Sequence, residues 1–353
     1  MGKLVKPKVF FVGATEVNPQ GLKDYLEYTG QSEFWEEFEQ ALSEGIPSGL
    51  ALCSVYGKMC YKSLVLGKNS NVSKVRAVAD NLVGTLASGH SSVFEHCQLN
   101  FIVTDCSRVY THEQVRHRGG PPEGKENAID NDLPGDGWAY SQTSGRYCRL
   151  DSIDLVWDDC LDPVKEMWQT GLRDIEDLIY LTECRLGLRK PNPKQSHASP
   201  GSWIALREGE GFPPLREGDN LEDFKWVPDD TFNFEKRKKL TSAIRRIAPN
   251  GQANELGLSV NLRALRHTVQ VRTARFAEVE IRNIYAQIYD LVRGKFPTIF
   301  HDAKVEMVDG FPEVKGMVMQ PYDVVVGDPK ALKHWSTEDI KAELAKRTQP
   351  EDK

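Results

Sequence analysis

Residues 111–118 read THEQVRHR, and residues 140–147 read YSQTSGRY. The first stretch ends in the basic triplet Arg116-His117-Arg118, and the second stretch lies further along the chain. Guanidinium groups stay charged at physiological pH and bind phosphate bidentately, whereas an imidazole changes its protonation near neutrality. We therefore expect an anion site with a proton donor beside it, suited to a nucleotide or a phosphate-bearing cofactor. Charge pattern alone leaves open a solvated basic triplet.

The sequence before the triplet alternates between helix and strand patterns. Residues 97–104 have the β-branched and aromatic content of a strand. Residues 72–86 have apolar side chains at helical spacing, and Gly89 is placed to end that helix and deliver His90 to a loop. Further toward the N-terminus, we predict a strand at 8–12 and a helix at 34–43.

Helical patterns dominate the later sequence. Asp162-Pro163 combines an N-cap with a first-turn proline and predicts a long amphipathic helix to Leu186. Further helical blocks are predicted at 234–249 and 262–292, and a helix start at Ser336-x-x-Asp339. Strands early and helices late favour an α+β fold.

Composition excludes several classes of protein. The 353 residues are 40% hydrophobic and 27% charged, with a net charge of −6, so broad attachment to nucleic acid or an anionic membrane is not expected. The seven cysteines are scattered and lack a CxxC spacing. The apolar run near the N-terminus is too short for a signal peptide or a membrane span. We expect a cytoplasmic protein.

Known catalytic motifs are mostly missing. The sequence has no GxGxxG after a strand, no P-loop and no GxSxG. Four histidines with Glu95 and Glu113 offer metal-ligand chemistry, but His112 and His117 are one residue too far apart for HExxH. We expect no metal, with one or two of these histidines in structural hydrogen bonds.

A helix at 261–272 concentrates polar groups. At about 100° per residue, one face carries Arg263, His267 and Gln270, and the opposite face carries Asn261 and Arg272 with Thr268. A solvated surface helix is one interpretation, although several apolar side chains leave little of the helix for water. The other is a helix wedged between two ligand sites, or between subunits that share sites.

These segments, taken in order, resemble the flavin-dependent thymidylate synthase family, also called the ThyX type. The resemblance covers roughly residues 55–150 and 240–302. It rests on several blocks in family order: Cys60-Tyr61-Lys62-Ser63, residues 89–96 (GHSSVFEH), Ser107-Arg108, Thr111-His112-Glu113, the RHR triplet, Ser141-Gln142-x-Ser144-x-Arg146-Tyr147, Arg245 with Pro249, and Asn261-x-Arg263 through Arg272 to Glu280-Ile281.

The resemblance implies an α+β subunit with an antiparallel or mixed sheet and long helices, assembled as a homotetramer with FAD where subunits meet. It implies reductive methylation of dUMP to dTMP, with methylenetetrahydrofolate as carbon donor and NADPH as reductant through FAD. No cysteine follows a proline as the nucleophile of the flavin-independent enzyme does. The uracil ring must then be activated electrostatically, and an arginine at its carbonyls does this.

The resemblance also implies roles for individual residues. Arg272 is the expected catalytic residue, because it resembles the arginine that polarises the uracil ring. The residues expected to bind the nucleotide are Glu113, Gln142, Thr143, Ser144, Gly145, Arg146, Arg245 and Arg272. Those expected to contact the flavin are His90, Ser92, Glu95, Arg116, His117, Arg118, Asn261, Arg263 and His267. His90 and Arg116 are also placed to border the folate.

Two segments depart from the family within what we expect to be one domain, 1–353. The connection from Arg118 to Ser144 encloses 25 residues, more than the family usually has. We interpret 119–139 as an inserted loop beside the active site: a lid, a specificity element or a neutral surface excursion. The second insertion is 188–230, and 306–353 is expected to form a C-terminal tail with a short helix.

Three functions agree with the sequence. The first is thymidylate synthesis from dUMP. The second is a related enzyme that modifies C5 of another pyrimidine nucleotide or leaves a hydroxymethyl group there. The third, from another class, is a flavin-free, metal-dependent nucleotide hydrolase built on the histidine cluster.

Overall fold

A computed structural model describes residues 2–88, 90–118, 138–144, 152–186, 188 and 234–317. The chain divides into two compact units, each built from several segments. The first unit consists of Met1–Lys8, Val103–Glu113 and Ser141–Leu256. The second unit consists of Val9–Ile102, Gln114–Tyr140 and Gly257–Lys353.

Helices and strands are interleaved along the described chain. The α-helices are α1 (Pro19–Tyr28), α2 (Phe34–Ser43), α3 (Ser48–Cys60), α4 (Val78–Ala87), α5 (Arg108–Gln114), α6 (Lys165–Arg185), α7 (Phe234–Ile244), α8 (Leu262–Arg272) and α9 (Val279–Arg293). The strands are β1 (Leu4–Val5), β2 (Lys8–Ala14), β3 (Gln98–Cys106), β4 (Trp138–Gln142), β5 (Leu155–Val156), β6 (Asn254–Asn261), β7 (Lys304–Val308) and β8 (Phe311–Lys315).

The strands form three sheets. Four strands pair in the order β2-β3-β6-β4, β1 pairs with β5 in parallel, and β7 pairs with β8 in antiparallel. The α+β class is therefore confirmed, with both kinds of pairing present. The predicted strand at 8–12 and helix at 34–43 are confirmed as β2 and α2, and the strand predicted at 97–104 overlaps β3, which begins one residue later.

Side-chain caps begin the two helices that matter most for the site. The Asn261 side chain accepts the backbone N–H of Ala264 at 2.7 Å and begins α8. Glu278 accepts the N–H groups of Glu280 and Ile281 and begins α9. The inner face of α9 is apolar, and it buries Ile281, Ile284, Tyr285, Ile288 and Val292.

The first unit has its own core. Ile153, Leu155 and Trp157 are buried against Leu172 and Ile179 of α6. The buried Glu176 carboxylate of α6 accepts the backbone N–H groups of Gly2 at 2.8 Å and Ile153 at 2.7 Å. These bonds attach the segments around Gly2 and Ile153, which are far apart in sequence, to the same helix.

Two helices begin later than predicted. The helix predicted at 72–86 begins only at Val78. The carbonyl of Arg76, just before it, accepts a hydrogen bond from the buried ammonium group of Lys58. The long helix predicted from Asp162 begins at Lys165, after a 3-10 turn over Asp159–Val164. The Asp162 carboxylate accepts the indole N–H of Trp157 at 2.8 Å instead of capping α6.

The helix predicted over 262–292 is two helices. Thr273 ends the first, because its hydroxyl donates to the carbonyl of Val269 at 2.7 Å and accepts the N–H of Val314 at 2.9 Å. The prediction also missed β6, α1 and α3. The interruption at Thr273 depends on β8, which is distant in sequence.

The expected loop and tail ranges also change at their edges. Trp138 and Ala139, placed in the loop 119–139, begin β4; the rest of that range lies outside the described residues. The tail 306–353 begins inside the β7–β8 hairpin, whose turn is Asp309-Gly310 with φ of 53° and 81°. An Asp-Gly pair with positive φ is typical of a two-residue hairpin. The predicted helix near Ser336 and the insertion 188–230, apart from Leu188, lie outside the described residues.

Among the residues described, no helix is long and apolar enough to cross a membrane.

Candidate active site

The RHR triplet forms a 3-10 turn, Val115–Arg118, directly after α5. In the second unit, the Nε–H group of Arg272 in α8 donates to Nε2 of His117 at 2.8 Å. A ring nitrogen that accepts a hydrogen bond carries no proton, so the neutral ring of His117 has its proton on Nδ1. Sequence positions 155 residues apart therefore form one hydrogen-bonded pair.

His117 is not the near-neutral proton donor expected from the sequence. Burial is the largest cause that lowers its pKa to about 4, and the nearby Arg272 and His267 contribute to the same shift. The ring is neutral at physiological pH and acts as an acceptor. The positive charge of the triplet therefore resides on its arginines; Arg116 is exposed, and the side chain of Arg118 lies outside the described part of the chain.

Aromatic side chains enclose the His117 ring. Trp138, which is buried, lies with its ring centroid 6.0 Å from that of His117. Tyr140 stacks on Trp138 with centroids 5.9 Å apart and an interplanar angle of 15°. The Tyr140 hydroxyl donates to the carbonyl of Gln114 at 3.0 Å, and Tyr285 donates to the Gln114 side chain at 2.8 Å. Gln114 immediately precedes the turn Val115–Arg118, so this network fixes the start of the turn.

The predicted flavin residues of the second unit gather around α8. Arg263 is buried and pairs with Glu95 at 2.5 Å, and Glu95 belongs to the 3-10 turn Ser91–His96 that packs on α8. His90 and Ser92 are exposed at the beginning of that turn. The hydroxyl of Ser91 is buried without a hydrogen-bond partner. An orphaned donor beside two exposed polar side chains suits a polar ligand group.

The polar side chains of α8 have partners from several elements. Arg272 and His267, which the sequence places on opposite faces of the helix, both lower the pKa of the His117 ring. Asn261 is not on the helix surface, because its side chain caps α8. Gln270 accepts the N–H of Met317 at 3.0 Å.

A pair of arginines lies in the first unit. Arg108 donates to the carbonyl of Thr143 at 3.5 Å, and its own N–H donates to the carbonyl of Asn250 at 2.8 Å. Burial lowers the pKa of Arg108, and the neighbouring charge of Arg245 lowers it further. Among the described residues, neither guanidinium forms an ion pair with a carboxylate. Two guanidinium groups held near each other are suited to bind an anion.

The nucleotide-loop residues are only partly described. Thr143 donates its N–H to the carbonyl of Glu255 at 3.0 Å, which fixes the end of β4. The side-chain nitrogen of Gln142 is buried and has no hydrogen-bond partner. Glu113 and Ser144 are half-buried in the same unit. Gly145 and Arg146 lie outside the described residues.

Sequence reasoning gave no role to several residues that the structure brings to the site. Arg108 stood within the quoted motif Ser107-Arg108, and only the fold places it beside Arg245. Trp138, Tyr140 and Tyr285 carried no signal beyond being aromatic. Within the described ranges, no group of three or more His, Cys, Asp or Glu side chains is arranged to hold a metal ion.

The fold and these two groups of residues define an α+β protein with a pair of neighbouring arginines and a half-buried arginine–imidazole pair. A family model described as thymidylate synthase complementing protein matches residues 41–298, and the chain belongs to that family.

Named relatives agree with this assignment. The flavin-dependent thymidylate synthase of Mycolicibacterium gilvum is 24% identical over 289 residues, which is 81% of this chain and 92% of the relative. That of Mycobacteroides abscessus is 27% identical over 266 residues, which is 74% and 83%. The resemblance inferred from the ordered motifs is confirmed, and the chain is a member of an enzyme family.

Two solved structures are similar at low identity. Thymidylate synthase X from Helicobacter pylori, solved with FAD and dUMP, has a TM-score of 0.42 at 16% identity, covering 72% of this chain and 93% of its own. The UMP/dUMP methylase PolB from Streptomyces cacaoi, bound with 5-Br dUMP, has a TM-score of 0.45 at 13% identity, covering 85% and 95%.

Proposed function

We propose that this protein is a flavin-dependent thymidylate synthase that methylates C5 of dUMP. The observation that supports this most is the guanidinium of Arg272, held at a defined edge by the neutral His117. C5 of uracil is a weak nucleophile, and a fixed positive charge at the ring carbonyls draws electron density onto the oxygen as C5 reacts. We assign this catalytic role to Arg272.

Thiol chemistry has little support among the described cysteines. A nucleophilic cysteine needs a lowered pKa. Burial raises the pKa of Cys97 to about 12, and it also raises that of Cys53. The exposed Cys160 has its pKa raised by the hydrogen bond to Asp158. Ring activation by Arg272 therefore agrees better with the described side chains than addition of a thiolate.

We assign the nucleotide phosphate to the arginine pair. Arg245 was predicted as a phosphate ligand, and Arg108 joins it in the first unit. A phosphate dianion relieves the repulsion between two guanidinium groups and satisfies the buried Gln142 donor. Glu113, Thr143, Ser144, Gly145 and Arg146 remain proposed nucleotide ligands.

We assign the flavin to the residues around α8. Three of these side chains are exposed: His90, Ser92 and Arg116. Arg263 forms an ion pair with Glu95, and the buried hydroxyl of Ser91 has no hydrogen-bond partner among the described residues. Arg118, His117, Asn261 and His267 complete the proposed set, with Asn261 acting through its cap on α8. When bound, FAD supplies reducing equivalents that NADPH provides, and methylenetetrahydrofolate supplies the carbon. Arg263 and Arg116 would hold anionic oxygens of the flavin, and the Glu95 carboxylate keeps Arg263 in place.

The remaining parts of the proposal rest on family resemblance. We propose a single functional domain over 1–353, a homotetramer with shared sites, and a cytoplasmic location. The five described cysteines are free thiols, which agrees with a reducing compartment.

A second candidate substrate is another pyrimidine nucleotide, or a 5-hydroxymethyl product. The observation that favours it is the long connection after Arg118, which ends at Trp138 against the His117 ring. That segment therefore begins and ends beside the proposed catalytic pair.

Product analysis decides between these candidates. The purified protein is incubated with dUMP, methylenetetrahydrofolate and NADPH, and the nucleotide mass is measured. We expect dTMP and a yellow protein that releases FAD on denaturation. A nucleotide carrying a hydroxymethyl group, or turnover of UMP alone, would support the second candidate. A colourless protein that cannot be reconstituted with FAD would contradict both.

A further inference from the structure

The pair formed by His117 and Arg272 joins two proposed functions. His117 belongs to the turn that we assign to the flavin, and Arg272 is the residue that we assign to the pyrimidine. Their hydrogen bond, 2.8 Å from Nε to Nε2, links the two assignments within the second unit. A guanidinium is planar, so fixing its Nε–H edge fixes the direction of its two terminal nitrogens.

The bond requires an unprotonated Nε2. The neighbouring charges that act on the ring are Arg272 and His267, both from α8. From β4, the ring faces the uncharged Trp138. Protonation would add a cation beside the guanidinium of Arg272 in a partly buried place and would break the bond. The surroundings therefore select the neutral imidazole with its proton on Nδ1.

The ring cannot easily rotate out of this geometry. Trp138 is 5% exposed and lies against one side of the imidazole. Tyr140 stacks on Trp138, and its hydroxyl donates to Gln114 at the start of the turn. The fully buried Tyr285 of α9 donates to the Gln114 side chain. These contacts hold both the turn that carries His117 and the strand that carries Trp138.

We propose that His117 is a positioning residue that aims Arg272, clamped by Trp138, and that it couples occupancy of the flavin site to activation of the pyrimidine. This inference rests on the proposed function for the role of Arg272. Because binding coupling is reciprocal, nucleotide bound at Arg272 strengthens flavin binding by the same factor as flavin strengthens nucleotide binding.

The tautomer of His117 tests the geometry without any turnover. Protein labelled with ¹⁵N at its eight histidines is studied by NMR, with His117→Gln used to assign the resonance. At neutral pH we expect a neutral His117 ring that is protonated at Nδ1. In the Arg272→Ala variant the pKa of His117 should rise, and the neutral ring should also populate the tautomer protonated at Nε2. A wild-type ring protonated at Nε2 would overturn the proposal, whatever reaction the protein catalyses.

The kinetic test compares an acceptor with a non-acceptor at the same position. His117→Phe removes the acceptor, and kcat should fall about 100-fold, as expected for a misaimed catalytic group. His117→Gln offers a side-chain oxygen to Arg272 and should recover at least about tenfold of that loss. His112→Phe, on the exposed side of α5, is the matched control and should change kcat less than about twofold. Equal losses in the Gln and Phe variants, with equal flavin content, would contradict positioning by the hydrogen bond.

The coupling is measured by titrating FAD with and without dUMP. Wild-type protein should bind FAD several-fold more tightly when dUMP is present, and His117→Phe should lose that difference. Trp138→Leu should weaken it, while Trp168→Leu, on the exposed part of α6, should not. An unchanged ratio in His117→Phe would overturn the coupling even if thymidylate synthesis is confirmed.

Discussion

The arginines of the second unit differ from those of the first unit in how their charges are balanced. Around α8, Arg263 pairs with Glu95, Arg266 pairs with Asp302, and Arg272 donates to His117. In the first unit, Arg108 and Arg245 repel each other and have no described carboxylate partner. The comparison indicates that the α8 arginines are held in place by the protein, whereas the arginine pair is completed by its ligand. The predictions that follow test this contrast.

Arg272→Ala should have the largest effect. Loss of one electrostatic donor to a developing oxyanion costs about 10²–10³ in rate, and we expect kcat to fall by about 10³. Steady-state kinetics with dUMP gives the loss, and flavin absorbance shows whether FAD remains. Arg293→Ala, an exposed residue of α9, serves as the control. A variant with nearly normal kcat would remove Arg272 from the catalytic role.

Stability should fall as the pH is lowered toward 4. An unfolded histidine has a pKa near 6.5, whereas folding lowers the pKa of His117 to about 4. Between these values the unfolded chain binds the proton and the folded protein does not, so the contribution is fully present above about 6.5 and lost as the pH falls. It amounts to roughly 3 kcal/mol at most.

Urea unfolding across this pH range measures the effect. The free energy of unfolding of wild type should fall more steeply between neutral pH and pH about 4.5 than that of His117→Gln, which cannot titrate. Parallel pH profiles for the two proteins would show that His117 is not held neutral.

Arg108→Gln should weaken nucleotide binding without weakening the fold. Losing one charge-assisted phosphate contact costs about 1.5–3 kcal/mol, so we expect KM for dUMP to rise by about 10- to 100-fold. The free energy of unfolding should stay the same or increase slightly, because repulsion from Arg245 is removed. Unfolding curves and KM are measured on the same preparation. A clear loss of stability with unchanged KM would mean that Arg108 is structural.

Arg263→Gln should lower the stability of the fold, in contrast to Arg108→Gln, and its effect should be the smallest of the series. Removing a buried partner of Glu95 leaves a half-exposed carboxylate unpaired, and we expect a loss of about 1–2 kcal/mol in the free energy of unfolding. Arg293→Gln breaks an exposed pair with Asp290 and should lose less than about 0.5 kcal/mol. If the two variants are equally stable, the pair at α8 is not held by the protein as proposed.

Much of the secondary structure could be predicted from local pattern. The predicted helix at 34–43 coincides with α2, and the strand predicted at 97–104 overlaps β3. Predictions failed where a distant partner decided the outcome: β8 helps to end α8 at Thr273, and Trp157 takes the Asp162 carboxylate away from α6. The Asp309-Gly310 hairpin was readable from its turn residues and was missed. Its alternating strands are short.

The sequence alone determined which chemical groups the protein has and in what order they occur. The RHR triplet, the histidine-rich turn before β3 and the arginines near 245 and 272 were sufficient to indicate the family, because residue types and their order are local properties. Tertiary structure alone decided which groups meet. His117 and Arg272 are 155 residues apart, and Gln114 and Tyr285 are 171 apart. Burial and hydrogen-bond partners arise only when distant segments pack. The protonation state of His117 and the position of Arg108 near Arg245 therefore could not be derived from the sequence alone.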